Sequence, residues 1–421
     1  NSIYSIFSGM VTRGGERLLE KMFLNPLTNA EEINQRTRVF RYFKEHDVAF
    51  PGDTKECDVV EQYLAGASGK HWVFNLALLF RAKMLELIGN NTVINQWHEQ
   101  VITTVFFLQK AKRYLDEVGK TIAGNPMEEG IKKGEALLQN KTLACVLNFQ
   151  GKNLSLTEMF KFDKLLRCDM NKQFAELVKL FHEIDVNTVV GRVARERDFS
   201  FPVALTDDEM SIGIKGLFHP ALPGAVSNDL EITKSKNIFF LTGANMAGKS
   251  TLMKSFGIAV YMAHMGFPVA AKSMTFSIQD GLYTSINVPD NINMGYSHFY
   301  AEVLRVKKVA IEVSLSKRLV VIFDELFKGT NVKDAYDATY AVTSALAKRH
   351  ACSFMISTHI IEVGHELGKN CDNATFAYLP TVMNGSVPTY TYKLEPGITN
   401  DKHGMIIINN ERIVELIREV K

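Results

Sequence analysis

The sequence predicts an all-helical first half followed by an α/β domain whose mostly parallel sheet is flanked by helices, and two observations carry that expectation. After Phe201-Pro202 the texture changes to short apolar runs, Asn237–Thr242, Leu319–Phe323 and Ser353–Ser357, interleaved with helical segments. Strands that alternate with helices imply a parallel sheet covered on both faces. Before that point, from about Gly14 to Arg197, apolar residues recur at three- and four-residue spacing. Met159, Phe160, Leu165, Leu166, Met170, Phe174, Leu177, Leu180 and Phe181 carry that spacing through Thr157–His182, a long stretch that reads as helical. Glycine- and asparagine-containing breaks near Gly66–Gly69, Gly89–Asn91 and Gly124–Pro126 separate the helices. The expected domains are 1–205 and 206–421.

Composition excludes several classes. With 46% hydrophobic and 22% charged residues the chain reads as an ordinary globular protein rather than a disordered one. Cys57, Cys145, Cys168, Cys352 and Cys371 show no paired spacing, which argues against a disulfide framework and a zinc site and points to a reducing, cytoplasmic setting. No run of about 18 uncharged apolar residues suggests a membrane span. A net charge of +2, spread evenly, predicts no strong long-range field for nucleic acid, so any DNA contact must come from a local patch or a dimer groove. The first residue is Asn, so the natural start is not implied to be here.

Residues Gly243-Ala244-Asn245-Met246-Ala247-Gly248-Lys249-Ser250 form a phosphate-cradling pattern in the right context. Such a P-loop follows a strand and opens a helix, because its backbone N–H groups and the helix N-terminus face the phosphates. Ile238-Phe239-Phe240-Leu241 supplies the strand, and a helix is predicted over Ser250–Met265. In this scheme Lys249 reaches the β and γ phosphates of ATP, Ser250 gives its hydroxyl to Mg2+, and Thr251 assists at the helix start. Leu319–Phe323 ends in Asp324-Glu325, placing two carboxylates at a strand tip where α/β proteins bind ligands. Asp324 then belongs to the magnesium shell and Glu325 polarises the attacking water; the alternative is that both acids cap the next helix. His359, after the strand Ser353–Ser357, is placed to contact the γ phosphate, or is a surface histidine.

Taken together, Thr242–Thr251, Ser297-His298-Phe299-Tyr300-Ala301-Glu302, Asp324-Glu325 with Gly329-Thr330, and Thr358-His359 resemble the ATPase domain of the MutS family of mismatch-repair proteins. Thr12-Arg13-Gly14-Gly15-Glu16-Arg17-Leu18-Leu19 with Asn25-Pro26-Leu27-Thr28, Glu183-Ile184-Asp185-Val186, Lys393-Leu394-Glu395-Pro396-Gly397 and His403-Gly404 extend the resemblance to nearly the whole chain. It implies an ABC-type P-loop ATPase domain behind a helical core and lever, working as a homodimer through the ATPase faces. It also implies that Ser297 reaches the γ phosphate held by the partner subunit. Ser297 is equally placed to cap the helix before Phe299.

The resemblance further implies coupling of ATP hydrolysis to mismatched or branched DNA. Departures shape that expectation: no mismatch-reading motif is seen, and the helical region is shorter by about a DNA-gripping clamp, so a short member is expected. Nor is the family's C-terminal dimerisation extension seen. No aromatic for stacking adenine stands out, which leaves Asn228 and Asp229 as candidates near the base. After the acidic pair, Leu326-Phe327-Lys328 replaces the family's more usual small and basic residues. The alternative function is an ATP-gated dimerisation module whose target is a protein partner.

Overall fold

The computed structural model describes residues 2–65, 92–206, 209–244, 246–286, 298–315, 317–384, 387–399 and 416–417. The chain forms two compact units, one of Asn1–Asn25 with Arg38–Glu196 and one of Pro26–Thr37 with Arg197–Lys421.

The first unit is helical, with no strand among its described residues: α1 (Arg13–Leu24), the second half of α2 (Ala30–Glu45), α3 (Thr54–Ala65), α4 (Thr92–Val118), α5 (Glu128–Leu138), α6 (Ala144–Leu147), α7 (Leu156–Lys164) and α8 (Asn171–Glu196). Local sequence sets several starts. Thr12 accepts from the Gly15 N–H to cap α1, and Ser155 and Glu158 form a reciprocal capping box on α7. The core of this unit is apolar and aromatic, with Phe107 and Tyr114 of α4 packed around Phe181 of α8.

The stretch Thr157–His182 is helical apart from Met170: α7 and α8 are joined by a π-turn at Leu165–Asp169, and Met170 lies off helical geometry at φ −121°, ψ 20°. Asp163, fully buried, accepts from Tyr63 Oη (2.8 Å), Trp97 Nε1 (3.1 Å) and Arg167 (3.2 Å), and the widened turn follows that buried ion pair.

The second unit is mixed α/β. A four-stranded sheet in the order β1 (Val203–Leu205), β5 (Ser273–Ser277), β2 (Ser211–Leu217), β3 (Asn228–Thr233) is mostly antiparallel. The larger sheet runs β12 (Glu395–Pro396), β9 (Ala374–Leu379), β4 (Ile238–Gly243), β8 (Ser353–Ser357), β7 (Leu319–Asp324), β6 (Gly281–Ser285). Its strands are parallel from β9 to β6, and only β12 is antiparallel. β4, β7 and β8 are buried almost end to end, as expected of strands covered on both faces. Among the described residues the unit also holds the first half of α2, the helices α9 (Lys249–His264), α10 (His298–Ser314), α11 (Val332–Ala347) and α12 (Ile361–Asn370), and a small hairpin of β10 (Thr381–Asn384) and β11 (Val387–Tyr390). A Cβ at Gly257 of α9 would lie 3.1 Å from Ile322 of β7, so glycine lets this helix approach the sheet closely.

Register aligns the strand tips that matter. Leu241 of β4 and Asp324 of β7 both pair with Ser357 of β8, which brings the residues following all three strands to one edge of the sheet. No helix among the described residues is long and apolar enough to cross a membrane. All five cysteines are free, with Cys57 and Cys352 buried.

Candidate functional site

The loop from Gly243 to Gly248 leaves the buried strand β4 and turns directly into α9. Its path requires left-handed backbone at Gly243 (φ 138°), Met246 (φ 69°) and Gly248 (φ 101°). Glycine suits two of these positions for steric reasons as well. A Cβ at Gly243 would meet the Leu379 carbonyl at 3.0 Å, and one at Gly248 would meet the Tyr392 ring at 3.0 Å. Met246 carries its side chain out into solvent.

Lys249 opens α9 yet is buried, and its Nζ folds back to donate to the carbonyls of Gly243 (2.7 Å) and Ala244 (3.0 Å). Burial pushes its ammonium below the ordinary lysine range; Glu325 and Asp324 pull it part of the way back, and Lys328 adds to the depression. A buried cation whose hydrogen bonds go to loop carbonyls is matched to an anionic ligand at that loop. The loop's glycines leave room for backbone to approach it.

Ser250 donates to Asp324 Oδ2 at 2.5 Å, and Ser357 Oγ donates to Asp324 Oδ1 at 2.5 Å, so the carboxylate at the tip of β7 is held from the helix side and from β8. Glu325 follows at φ 56°, a left-handed position for a side chain without glycine's freedom. Its N–H donates to Ser357 O and Oγ, both at 3.1 Å, and its carboxylate pairs with Lys328 Nζ at 2.8 Å. Burial works to raise the Glu325 carboxyl, but Lys328, His359 and Lys249 together outweigh it and hold the group below the usual carboxylate range. His359 stands exposed just beyond β8, near enough to Glu325 to influence its carboxyl. Thr251, at the start of α9, is half-buried, and Ala247 is buried in the loop.

Lys249, Ser250, Asp324, Glu325 and His359 therefore meet at one edge of the sheet. Asn245 and Ser297 lie outside the described residues. Asn228 is buried, and its amide is spent on the backbone: it donates to Tyr392 O (3.0 Å) and accepts from Leu394 N (2.7 Å). Asp229 accepts from Gly216 N at 2.8 Å and faces Lys215. Burial resists the lowering of its carboxyl, but the Gly216 bond, the largest influence, prevails.

Asn228 thus ties down a residue that sequence reasoning missed. Tyr392, half-exposed at φ 53°, lays its ring edge against Gly248, with Tyr390 6.1 Å away between centroids. The signal was present in the run Tyr390-Thr391-Tyr392, directly ahead of the segment Lys393–Gly397.

Residues 239–419 match the family MutS domain V, which takes in the loop, both carboxylates and His359. The α/β unit is similar to MutS domain V. The chain is 32% identical over 236 residues to the DNA mismatch repair protein MutS of Lactococcus lactis subsp. cremoris, covering 54% of this chain and 28% of that protein. With MutS of Halalkalibacterium halodurans it shares 25% identity over 386 residues, 89% of this chain and 43% of the relative. With MutS protein homolog 4 of Mus musculus it shares 28% over 265 residues, 59% of this chain and 27% of the relative. The similarity to MutS therefore runs through both units, while the chain spans less than half the length of each of these relatives.

Proposed function

We propose that the α/β unit is an ABC-type P-loop ATPase that binds ATP with Mg2+ and hydrolyses it, and that residues 1–205 serve as a core and lever coupled to residues 206–421. One observation carries the reading: the buried Lys249, the Ser250–Asp324 pair at 2.5 Å and Glu325 converge at the tips of β4 and β7, the parallel strands on either side of β8, around a loop shaped by left-handed backbone. Lys249 exchanges its loop carbonyls for phosphate oxygens on binding. Ser250 and Asp324 are the oxygen donors that fit magnesium, a hard cation that takes such ligands and neutralises phosphate charge. Glu325 orients and polarises water, and His359 senses the γ phosphate. Tyr392, rather than Asn228 or Asp229 directly, offers the flat face for adenine, with Asn228 fixing its backbone.

The MutS relationship supports a homodimer joined through its ATPase faces, with Ser297 completing the partner's site and mismatched or branched DNA as the target, in a cytoplasmic setting. A second reading, an ATP-gated module acting on a protein partner, is favoured by the near-neutral charge of the chain. Turnover per subunit, measured against protein concentration with and without branched and mismatched DNA, separates the two. A rate that rises with concentration and responds to DNA supports the DNA-linked ATPase. A flat, DNA-insensitive rate supports the protein-directed module, and a rate no higher than that of Lys249→Ala overturns the ATPase reading itself.

A further inference from the structure

The turn that follows β7 has an arrangement that hydrolysis alone does not explain. Glu325 and Lys328 are three residues apart on a non-helical turn, yet Oε2 and Nζ lie 2.8 Å apart. Two left-handed residues make this possible, Glu325 at φ 56° and Phe327 at φ 60°. Neither is glycine, so the conformation is strained and must be held by its surroundings. Phe327 provides that hold: it is buried, with its ring 5.9 Å from that of Phe299 in the first turn of α10. An anchored aromatic thus fixes the turn from beneath while Lys328 folds back over the carboxylate.

The two ends of the ion pair differ in freedom. The Glu325 side chain is 18% exposed and that of Lys328 is 67% exposed, so the lysine stem stands in solvent and is able to swing while the carboxylate stays in the site. The charges of Asp324 and Glu302 act on Lys328 along with that of Glu325, and the charge of Lys328 acts in turn on Lys249. An anion arriving at Lys249 therefore enters the reach of Lys328 and competes with Glu325 for it. A pair with one end in solvent is weak enough to lose that competition, since such pairs shift equilibria by about fivefold at most.

We propose that Lys328 is a positioning residue that clamps the Glu325 carboxylate in the nucleotide-free protein and is drawn off it by the phosphates of the bound nucleotide. The proposal rests on the reading of Glu325 as the group that polarises water. It makes nucleotide binding and release of the base one linked event: the ammonium that leaves Glu325 is the one that strengthens the hold on phosphate. A carboxylate clamped until its substrate arrives is also kept from wandering in a turn whose backbone is strained.

Linkage of this kind is visible in binding at neutral pH, without turnover. The affinities of ADP and of a non-hydrolysable ATP analogue are measured for the wild type, Lys328→Met, Glu325→Gln and the double variant. In the wild-type background Lys328 must first leave Glu325, so its removal costs little; in the Glu325→Gln background it is already available, so its removal costs more. The expected difference between the two costs is about two- to fivefold for the ATP analogue, with Lys328→Arg behaving as the wild type in either background. Equal costs in the two backgrounds, or no cost in either, overturn the proposal, since a merely structural lysine gives that result. Turnover of Glu325→Gln keeps the two failures apart. Wild-type activity in that variant sinks the role of Glu325, whereas loss of its activity together with additive binding costs sinks only the role of Lys328.

Discussion

Asp185 in the helical unit and Glu325 in the α/β unit are both carboxylates withdrawn from water, and they are held in opposite ways. Asp185, on α8, accepts from Val11 N (3.0 Å), Thr12 N (2.7 Å) and Thr12 Oγ1 (2.7 Å), and the same Thr12 hydroxyl caps α1. Every partner is backbone or a short hydroxyl with no room to move. Glu325 has its backbone N–H bonded to Ser357, but its carboxylate is met by a solvent-exposed lysine. Burial pushes both carboxyls up; at Asp185 it prevails over the hydrogen bonds from Thr12 and Val11, and at Glu325 it is overcome by Lys328 together with His359 and Lys249. A carboxylate satisfied by fixed donors belongs to the architecture. One poised among movable charges on strained backbone is placed to change partners, which is what chemistry requires.

Substitution separates the two kinds most sharply in activity. Glu325→Gln is expected to lower ATP turnover by roughly 10²–10⁴-fold, the usual worth of a positioned base, while nucleotide binding is kept, up to about fivefold tighter with Lys328 released, and thermal stability stays close to that of the wild type. Lys249→Ala should instead lose affinity for nucleotide. Equal losses of binding in both variants would contradict the roles assigned to them, and full turnover in Glu325→Gln would place the base elsewhere.

Asp185→Ala is the reverse case. It strands the Val11 and Thr12 N–H groups and the cap of α1 in a buried place, so denaturant unfolding should show a loss of about 2–4 kcal/mol. Nucleotide affinity of the protein that remains folded should be unchanged. A loss below about 0.5 kcal/mol would mean that water or a neighbouring group takes over the donors.

Why one carboxylate was legible as chemistry and the other only as resemblance follows from what sequence encodes locally. The loop Gly243–Ser250 and the pair Asp324-Glu325 announce themselves because each is contiguous and sits at the end of an apolar run. The buried strands β4, β7 and β8 were legible for the same reason. The segment Thr12–Gly15 was legible only as a pattern, because its explanation lies more than 160 residues away in the chain. A Cβ at Gly15 would meet Asp185 Oδ2 at 2.7 Å, and one at Gly14 would fall on the His182 ring. Sequence spacing does not report such a close approach of α1 to α8.

Tyr392 was missed for a similar reason. Its place beside Gly248 is set by Asn228, and no local pattern joins residues 164 positions apart. The strands β2 and β3 carry the two-residue alternation of Ile212, Ile214, Leu230 and Ile232, which is a weaker signal than a continuous apolar run. The polar break at Asp163 was hidden by the apolar residues around it, since periodicity counts side chains and not the hydrogen bonds of a buried acid.

The same contrast between fixed and movable partners divides two histidines of the α/β unit, and it yields the smallest of the expected effects. His359 is exposed at the strand tip, whereas His264 is buried at the end of α9 with both ring nitrogens engaged. The Gln279 N–H requires His264 Nε2 to accept at 3.0 Å, which leaves the proton on Nδ1 to donate to Val260 O at 2.8 Å. Burial lowers the pKa of this imidazole, with the Val260 bond opposing. A folded-state pKa below the ordinary value of about 6.5 means that the unfolded chain takes up the proton first. The stability contributed by neutral His264 is therefore complete above pH 6.5 and declines as the pH falls below it. Thermal unfolding of the wild type between pH 7.5 and 5.5 should show this decline, and His264→Gln, which keeps a donor and an acceptor but does not titrate, should show a shallower one. Parallel pH dependence in the two proteins would assign the acid sensitivity to another group, and would remove His264 from the class of fixed, structural partners to which Asp185 belongs.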